Sequence, residues 1–261
     1  MKKVMVVFGT RPEAIKMAPV VKALEAVPVL ETVVCVTAQH REMLDQVLKL
    51  FGIVPRYDLD VMKERQDLFD IATSVMSGFR EVLLKESPDL VLVHGDTSTT
   101  FFGALSAYYL QIPVGHVEAG LRTRNKYSPF PEEINRTLTG QLADLHFAPT
   151  EWSRSNLLAE SVPSERIWVT GNTVIDALLQ TVNPEHVFTP ELAGIDFSRR
   201  ILLVTTHRRE NWGEKLTQVY LALLDILESF PDTLVVFPVH MNPVVRDRVY
   251  QVLGNHPRVK L

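Results

Sequence analysis

The feature that most constrains this chain is a series of short apolar runs that recur along it, separated by segments of helical periodicity. Each run is rich in Val, Ile and Leu and predicts a strand buried on both faces. The runs are residues 4–8, 32–36, 90–93, 114–117, 167–169, 201–204 and 234–239. Amphipathic helices are predicted between them, for example over residues 42–51 and 68–84. This alternation indicates an α/β fold in which helices cover both faces of a doubly wound parallel sheet.

The periodicity stops over residues 182–200, where Pro184, Pro190 and Gly194 interrupt it. Such a stretch is typical of a linker or a long surface loop. We place the domain boundary slightly earlier, because residues 174–179 start a helix that could cross over. The prediction is an N-terminal Rossmann-like domain over residues 1–171 and a second one over residues 172–261. The second part is shorter than the ~100 to 150 residues of most self-sufficient domains, so we expect it to be truncated.

Composition excludes several classes of function. The chain is 46% hydrophobic and 22% charged, which is typical of a globular protein. Its net charge of -4 offers no broad basic field, so we expect no nucleic-acid partner. No apolar run approaches the ~20 residues that span a bilayer, and the first run is too short for a signal peptide. We therefore predict a cytoplasmic protein without a membrane partner, in which the lone Cys35 is a small buried hydrophobe.

The first predicted strand leads into a glycine, a proline and two cations. Gly9 allows a tight exit from the strand, and Pro12 suits the first position of a helix. The free amides at that helix start, together with Arg11 and Lys16, would suit a diphosphate. The segment matches neither a GxGxxG fingerprint nor a Walker loop, so it does not support binding of NAD or hydrolysis of ATP. Taken alone, two such cations lie solvated on the surface more often than they bind a ligand.

Two later strands end in the same pattern of a histidine, one further residue and an acid. His94 precedes Asp96 in this way, and His116 precedes Glu118. Neighbouring strands lie ~4.8 Å apart, so both carboxylates should reach the carboxyl edge of the sheet, where ligands bind in this class. This favours an acid-base pair. Asp96 could instead cap the following helix, and the four side chains could form a metal site, or the histidines could hold the carboxylates in place.

Three other places contain polar groups whose role the pattern leaves open. Glu132 and Glu133 follow a proline in the first turn of a predicted helix, where acids are favourable without any further purpose. His207 and Arg208 lie in a basic cluster after a predicted strand, which suits an anionic ligand or a solvated loop equally well. His240 follows the next strand and is weak evidence by itself.

Eight segments of the chain, taken together and in order, carry a resemblance to a known family. They are FGTRPEAIKMAP, TAQHREMLDQVL, LVHGDTSTT, PVGHVEAGLRT, PEEINR, TGNTVIDAL, THRRENWG and PVHMNP. The chain resembles the non-hydrolysing UDP-N-acetylglucosamine 2-epimerases through essentially all of its 261 residues. The resemblance implies two Rossmann-like domains of the glycosyltransferase-B type with substrate in the cleft between them. It also implies a homodimer of cell-surface polysaccharide biosynthesis that interconverts UDP-N-acetylglucosamine and UDP-N-acetylmannosamine.

The resemblance also implies roles for individual residues. The family's acid-base and catalytic positions match Asp96, Glu118, Glu132 and His207. Its substrate contacts match Arg11, Lys16 and Arg208. Bacterial members can be activated by a second UDP-N-acetylglucosamine beside the active site, and the residues in segments that resemble this allosteric region are Gln39, Glu42, Arg65, Arg208 and His240.

The chemistry follows from carbon 2 of the substrate's sugar, which carries a hydrogen and has no adjacent carbonyl group. Simple deprotonation would give an unstabilised carbanion, whereas departure of UDP from carbon 1 moves the charge onto a diphosphate that cations can stabilise. The family resemblance implies anti elimination to 2-acetamidoglucal and UDP, followed by re-addition. This chemistry requires no cofactor, nicotinamide or metal. The alternatives are a hydrolysing epimerase, a glycosyltransferase of the same fold and an inactive nucleotide-sugar-binding fragment.

The sequence departs from the family at its C-terminal side. Family members continue with a Ser-Gly-Gly-x-x-Glu-Glu segment that grips the uridine ribose and the diphosphate, and the 261 residues contain no such segment. We therefore expect residues 1–261 alone to bind UDP weakly and to show no measurable epimerisation.

Overall fold

The computed structural model describes residues 1–38, 41–61, 66–188, 190, 192–206 and 212–261, and the side chains of residues 41 and 42 lie outside that description. The chain divides into two compact units, Met1–Val182 and Asn183–Leu261. Each unit contains one parallel sheet.

The first unit is built on seven parallel strands. They are β1 (Lys2–Phe8), β2 (Leu30–Val36), β3 (Tyr57–Asp58), β4 (Leu90–His94), β5 (Val114–Val117), β6 (Leu145–Ala148) and β7 (Ile167–Val169). Their order in the sheet is β3-β2-β1-β4-β5-β6-β7. The chain builds outward from β1 in one direction and then in the other, so the topological switch point lies between β1 and β4. Ligands of open α/β sheets bind at such a point, outside the carboxyl ends of the strands.

Among the described residues of the first unit, six α-helices connect these strands and a seventh follows β7. They are α1 (Arg11–Glu25), α2 (Arg41–Phe51), α3 (Leu68–Glu86), α4 (Ser98–Tyr109), α5 (Glu132–Leu142), α6 (Glu151–Ala159) and α7 (Thr173–Thr181). Successive residues of a strand face opposite sides of the sheet. Val4, Val6 and Phe8 of β1 accordingly pack with α1 and α2, while Met5 and Val7 pack with α3 and α4. The sheet is covered on both faces, as predicted.

The second unit repeats the pattern on a smaller scale. It contains β8 (Arg200–Leu203), α8 (Glu214–Ser229), β9 (Thr233–Val236), α9 (Pro243–Leu253) and β10 (Val259–Lys260). Its strands are parallel in the order β10-β9-β8. Tyr220 and Leu227 of α8 pack with Phe237, Val249 and Leu253 in its core.

The predicted fold class, an α/β chain with two parallel sheets, is confirmed, but two strands and the boundary differ from the prediction. The short β3 and the strand β6 were not predicted, and β6 pairs with both β5 and β7 although His146 interrupts its apolar run. The predicted boundary followed residue 171, whereas the compact units divide after Val182 because α7 packs against α1 within the first unit. Among the described residues, no helix has the length and apolar character needed to cross a membrane.

Candidate active site

The exit from β1 is shaped by a close backbone approach at Gly9. A Cβ atom there would lie 2.0 Å from Oγ1 of Thr37 and 2.5 Å from Oγ1 of Thr99, so a side chain does not fit. Thr10 then forms the N-cap of α1. Arg11 follows as the first helical residue and is exposed. The predicted tight turn into a helix start is therefore present, with one of its two cations turned to solvent.

Glu13 joins this turn to the loop that follows β4. One of its carboxylate oxygens accepts hydrogen bonds from the backbone amides of Gly9 and Thr10 at 3.1 and 2.8 Å. The other accepts from the hydroxyls of Thr97 and Thr100 at 2.8 and 3.2 Å. Burial raises the pKa of Glu13, and these hydrogen bonds oppose that rise. Glu13 thus ties together the two loops that flank the topological switch point.

Asp96 lies two residues beyond the end of β4 and is held by two consecutive residues of α5. Its carboxylate accepts a hydrogen bond from Nη2 of Arg136, and its backbone carbonyl accepts one from the side-chain amide of Asn135 at 2.9 Å. The N-cap of α4 is Thr97, whose hydroxyl accepts from the amide of Thr100 at 3.2 Å. The alternative that Asp96 caps α4 is therefore wrong.

Glu118 lies directly after β5, in the left-handed region with φ of 62°. Its Oε1 atom accepts hydrogen bonds from Nζ of Lys16 at 2.6 Å and from Nδ2 of Asn172 at 2.7 Å. Its Oε2 atom lies 3.6 Å from Nε2 of His94, beyond hydrogen-bonding distance. Lys16 is thereby paired with a buried carboxylate, unlike the exposed Arg11.

Both histidines of the repeated pattern are buried and neutral at pH 7. Burial lowers the pKa of His94 to about 4 and that of His116 to about 3. Nε2 of His116 donates a hydrogen bond to the carbonyl of Gly95 at 2.7 Å and so fixes the backbone next to Asp96. Within the described ranges, no group of three or more His, Cys, Asp or Glu side chains is arranged to hold a metal ion.

The two strand-end carboxylates have opposite pKa shifts. Burial raises the pKa of Asp96, and the nearby charges of Glu132 and Glu118 add to the rise while Arg136 opposes it. Burial alone would also raise the pKa of Glu118, but His94, Lys16 and Asn172 lower it below its usual range. Because the ring of His94 is neutral at pH 7, Lys16 and Asn172 are the partners that favour the ionised form of Glu118 there.

The adjacent acids Glu132 and Glu133 have different surroundings. Glu133 is 3% exposed and accepts hydrogen bonds from the backbone amides of Thr123 at 3.0 Å and Arg124 at 2.7 Å. In contrast, Oε2 of Glu132 is buried and has no hydrogen-bond partner among the described residues. Glu133 therefore anchors the loop after β5, whereas Glu132 has an acceptor atom available beside Asp96.

The structure thus brings together four of the predicted site residues, Lys16, Asp96, Glu118 and Glu132, and places Arg11 on the turn that Glu13 ties to them. His240 belongs to the second unit, where its Nδ1 accepts from the amide of Asn242 at 3.1 Å. The other predicted positions lie outside the described residues or side chains, and they are Gln39, Glu42, Arg65, His207 and Arg208.

Sequence reasoning missed three residues that hold the site together, namely Glu13, Arg136 and Asn172. A signal existed for Arg136, because it follows Glu132 by four positions and side chains at that spacing share one face of a helix. Glu13 and Asn172 lie within motifs that carried the family resemblance, but nothing local indicated that they reach other loops.

Comparisons with known proteins agree with this architecture. The family model described as UDP-N-acetylglucosamine 2-epimerase matches residues 22–261. The UDP-N-acetylglucosamine 2-epimerase of Escherichia coli K12 is 55% identical over 266 residues, which cover 99% of this chain and 71% of the relative. A Thermotoga maritima relative is 59% identical over 263 residues, which cover 100% of this chain and 69% of that protein.

The folds agree as well as the sequences. The crystal structure of the Neisseria meningitidis UDP-GlcNAc 2-epimerase bound to UDP-GlcNAc matches with a TM-score of 0.89 and 50% identity. The match covers 99% of this chain and 71% of the Neisseria chain. The two Rossmann-like sheets and this likeness support the predicted glycosyltransferase-B type of fold. The chain belongs to the UDP-N-acetylglucosamine 2-epimerase family.

Proposed function

We propose that this protein interconverts UDP-N-acetylglucosamine and UDP-N-acetylmannosamine without releasing the sugar by hydrolysis. The observation that carries the proposal is the cluster of Asp96, Glu118 and Glu132 at the carboxyl edge of the first sheet, beside the switch point. Inversion of a carbon that bears hydrogen needs acid-base groups on both faces of the sugar, and a single carboxylate could not serve both.

The reaction proceeds by elimination and re-addition. A base removes the proton from carbon 2, and the electrons of that bond form the double bond between carbons 1 and 2. The bond from carbon 1 to the diphosphate oxygen breaks with its electron pair, which leaves 2-acetamidoglucal and UDP. Protonation of carbon 2 on the other face and return of UDP to carbon 1 give the epimer. All atoms and electrons balance, so no oxidant is needed.

The environments of the carboxylates suit different parts of this cycle. The lowered pKa of Glu118 keeps it ionised, as a base requires, whereas the raised pKa of Asp96 favours the proton-bearing form of an acid. The negative charge that develops on the diphosphate would be stabilised by Arg11 and by the amides at the start of α1. We assign His207 and Arg208 to the same reaction on the family resemblance.

Solved structures of relatives support UDP-N-acetylglucosamine and UDP as ligands. The Neisseria meningitidis structure contains UDP-GlcNAc, and a Staphylococcus aureus relative of 50% identity and TM-score 0.88 was solved with UDP. A hydrolysing epimerase remains the second candidate, because it would share the elimination step and differ only in that water captures the intermediate.

The test is product analysis in deuterated water with UDP-N-acetylglucosamine as substrate. It uses an extended enzyme, residues 1–261 joined to the family's uridine-binding segment, because residues 1–261 alone are expected not to epimerise. The expected product is UDP-N-acetylmannosamine with solvent deuterium at carbon 2, since the proton passes through exchangeable side chains. Free N-acetylmannosamine with UDP would identify the hydrolysing reaction, and inversion without exchange would rule out elimination. UDP binding without any turnover would reduce the protein to a binding function.

A further inference from the structure

We propose that Asn172 is a positioning residue that holds one carboxylate oxygen of Glu118, so that the other oxygen is left to exchange protons with the substrate. The catalytic part of this inference rests on the proposed function, whereas the contact and its effect on Glu118 do not. Asn172 stands at the start of α7 and is 54 residues from Glu118 in sequence.

The orientation of the Asn172 amide is determined by two hydrogen bonds. Its Oδ1 atom accepts from the backbone amide of Val174 at 3.0 Å and so forms the N-cap of α7. Its Nδ2 atom donates to Oε1 of Glu118 at 2.7 Å. Because the cap needs an acceptor and Glu118 needs a donor, the network assigns the oxygen and nitrogen unambiguously.

The two oxygens of Glu118 are used unequally as a result. Oε1 receives both donors, the ammonium of Lys16 from α1 and the amide of Asn172 from α7. Oε2 receives neither, and His94 lies 3.6 Å from it. α1 and α7 pack against each other, so the two donors form one support for a residue whose φ of 62° is unfavourable for glutamate. The lone pairs that are left to exchange a proton with the substrate are therefore those of Oε2.

Asn172 also affects the charge of Glu118. The groups that face this carboxylate are Lys16 from α1, His94 from β4, Asp96 from the loop after β4, and the Asn172 amide from α7. Lys16 is the only cation among these four at pH 7. A neutral donor on the same oxygen stabilises the ionised form without competing with Glu118 for Lys16, which a carboxylate at position 172 would do.

The exchange Asn172→Asp tests this with little change in shape. Aspartate caps a helix as well as asparagine does, so α7 keeps its N-cap while Glu118 loses a donor and gains a like charge. We expect the pKa of Glu118 to rise and the acid limb of the pH-turnover profile to move to higher pH. On that limb kcat should fall by roughly tenfold, with KM changed by less than about twofold, because ground-state binding is not affected.

A matched control is available in the second unit. Asn242 is the N-cap of α9, and its side chain accepts from the amide of Val244 at 3.0 Å, the same bond and distance as at Asn172. Asn242→Asp makes the same chemical change at a cap whose side chain, among the described residues, donates to no carboxylate. It should leave the pKa of Glu118 and the acid limb where they are in the wild type.

Carboxyl ¹³C NMR of glutamate-labelled protein measures the pKa of Glu118 without any need for turnover. Asn172→Ser, which keeps a capping hydroxyl but does not reach Glu118, should raise that pKa less than Asn172→Asp does, and it decides the question if the aspartate variant does not fold. Wild-type values for Glu118 in both variants would overturn the inference. A raised pKa in an extended enzyme that never epimerises would support the contact and refute the proposed function instead.

Discussion

The ends of β4 and β5 share one sequence pattern and have opposite electrostatics. Each places a buried histidine two residues before a carboxylate, and the two carboxylates follow adjacent strands. Asp96, after β4, has one cationic partner and two acidic neighbours, so its pKa is raised. Glu118, after β5, has a cation and an amide on one oxygen, so its pKa is lowered. The difference shows that partners from distant helices, rather than the local pattern, set the opposite pKa shifts of the two carboxylates.

The largest expected effect comes from removing the negative charges of the carboxylates at this edge of the sheet. In the extended enzyme, Asp96→Asn, Glu118→Gln and Glu132→Gln should each lower turnover by ~10² or more, the scale of a lost positioned acid or base. Melting temperatures should change little. The neighbouring Glu133→Gln is the control. Because the Glu133 side chain anchors backbone amides, this substitution should cost about 1 to 3 kcal/mol of stability. Near-normal turnover in any of the first three variants would remove that residue from the proposed mechanism.

A smaller effect is expected when the cations are removed. Arg136→Met removes the cation that contacts Asp96 among the described residues, whereas Lys16→Met leaves Glu118 with the Asn172 amide. Each should destabilise the fold by about 1.5 to 3 kcal/mol, the range for a hydrogen bond to a charged group. Denaturant unfolding measures this cost. The pKa of Asp96 should rise further in the first variant, as carboxyl NMR can measure. If only the pKa of Glu118 changed, the different partners assigned to the two carboxylates would be wrong.

The histidines should make the first unit sensitive to acid. Both have folded-state pKa values, about 4 and about 3, below the unfolded value of 6.5. Their neutral forms therefore stabilise the fold above pH 6.5, and this stability is lost as pH falls towards those values. Linkage predicts a loss of about 2 kcal/mol for each histidine between pH 7 and pH 5. Unfolding of His94→Gln and His116→Gln at both pH values should show a correspondingly flatter pH dependence than the wild type.

The smallest expected effect is that of a chelator. Because the His94-Asp96 and His116-Glu118 pairs are assigned to acid-base work and its support, EDTA should leave the rate of epimerisation unchanged. Activity that is lost in EDTA and restored by a divalent ion would overturn the assignment. The measurement also distinguishes acid-base pairs at the two strand ends from a shared metal site, which the sequence pattern by itself allowed.

Much of the fold could be predicted because apolar periodicity is a local property. Runs such as residues 4–8 and 114–117 read as strands at once, since burial on both faces requires continuous apolar side chains. β6 could not be predicted in the same way, because its pairing partners β5 and β7 compensate for His146 in the strand. The division after Val182 could not be predicted either, since it depends on the packing of α7 against α1.

The sequence by itself determined the α/β class, the carboxyl-edge location of Asp96 and Glu118, and the family. These follow from alternation of apolar runs, from the two-residue period of a strand and from long motifs in a fixed order. Tertiary structure alone decided that Glu132 is available while Glu133 is an anchor, that Thr97 caps α4, and that Lys16 and Asn172 meet on one oxygen of Glu118. The physical reason is that hydrogen bonds and pKa shifts depend on distances between side chains that are remote in sequence, and a linear pattern contains no such distances.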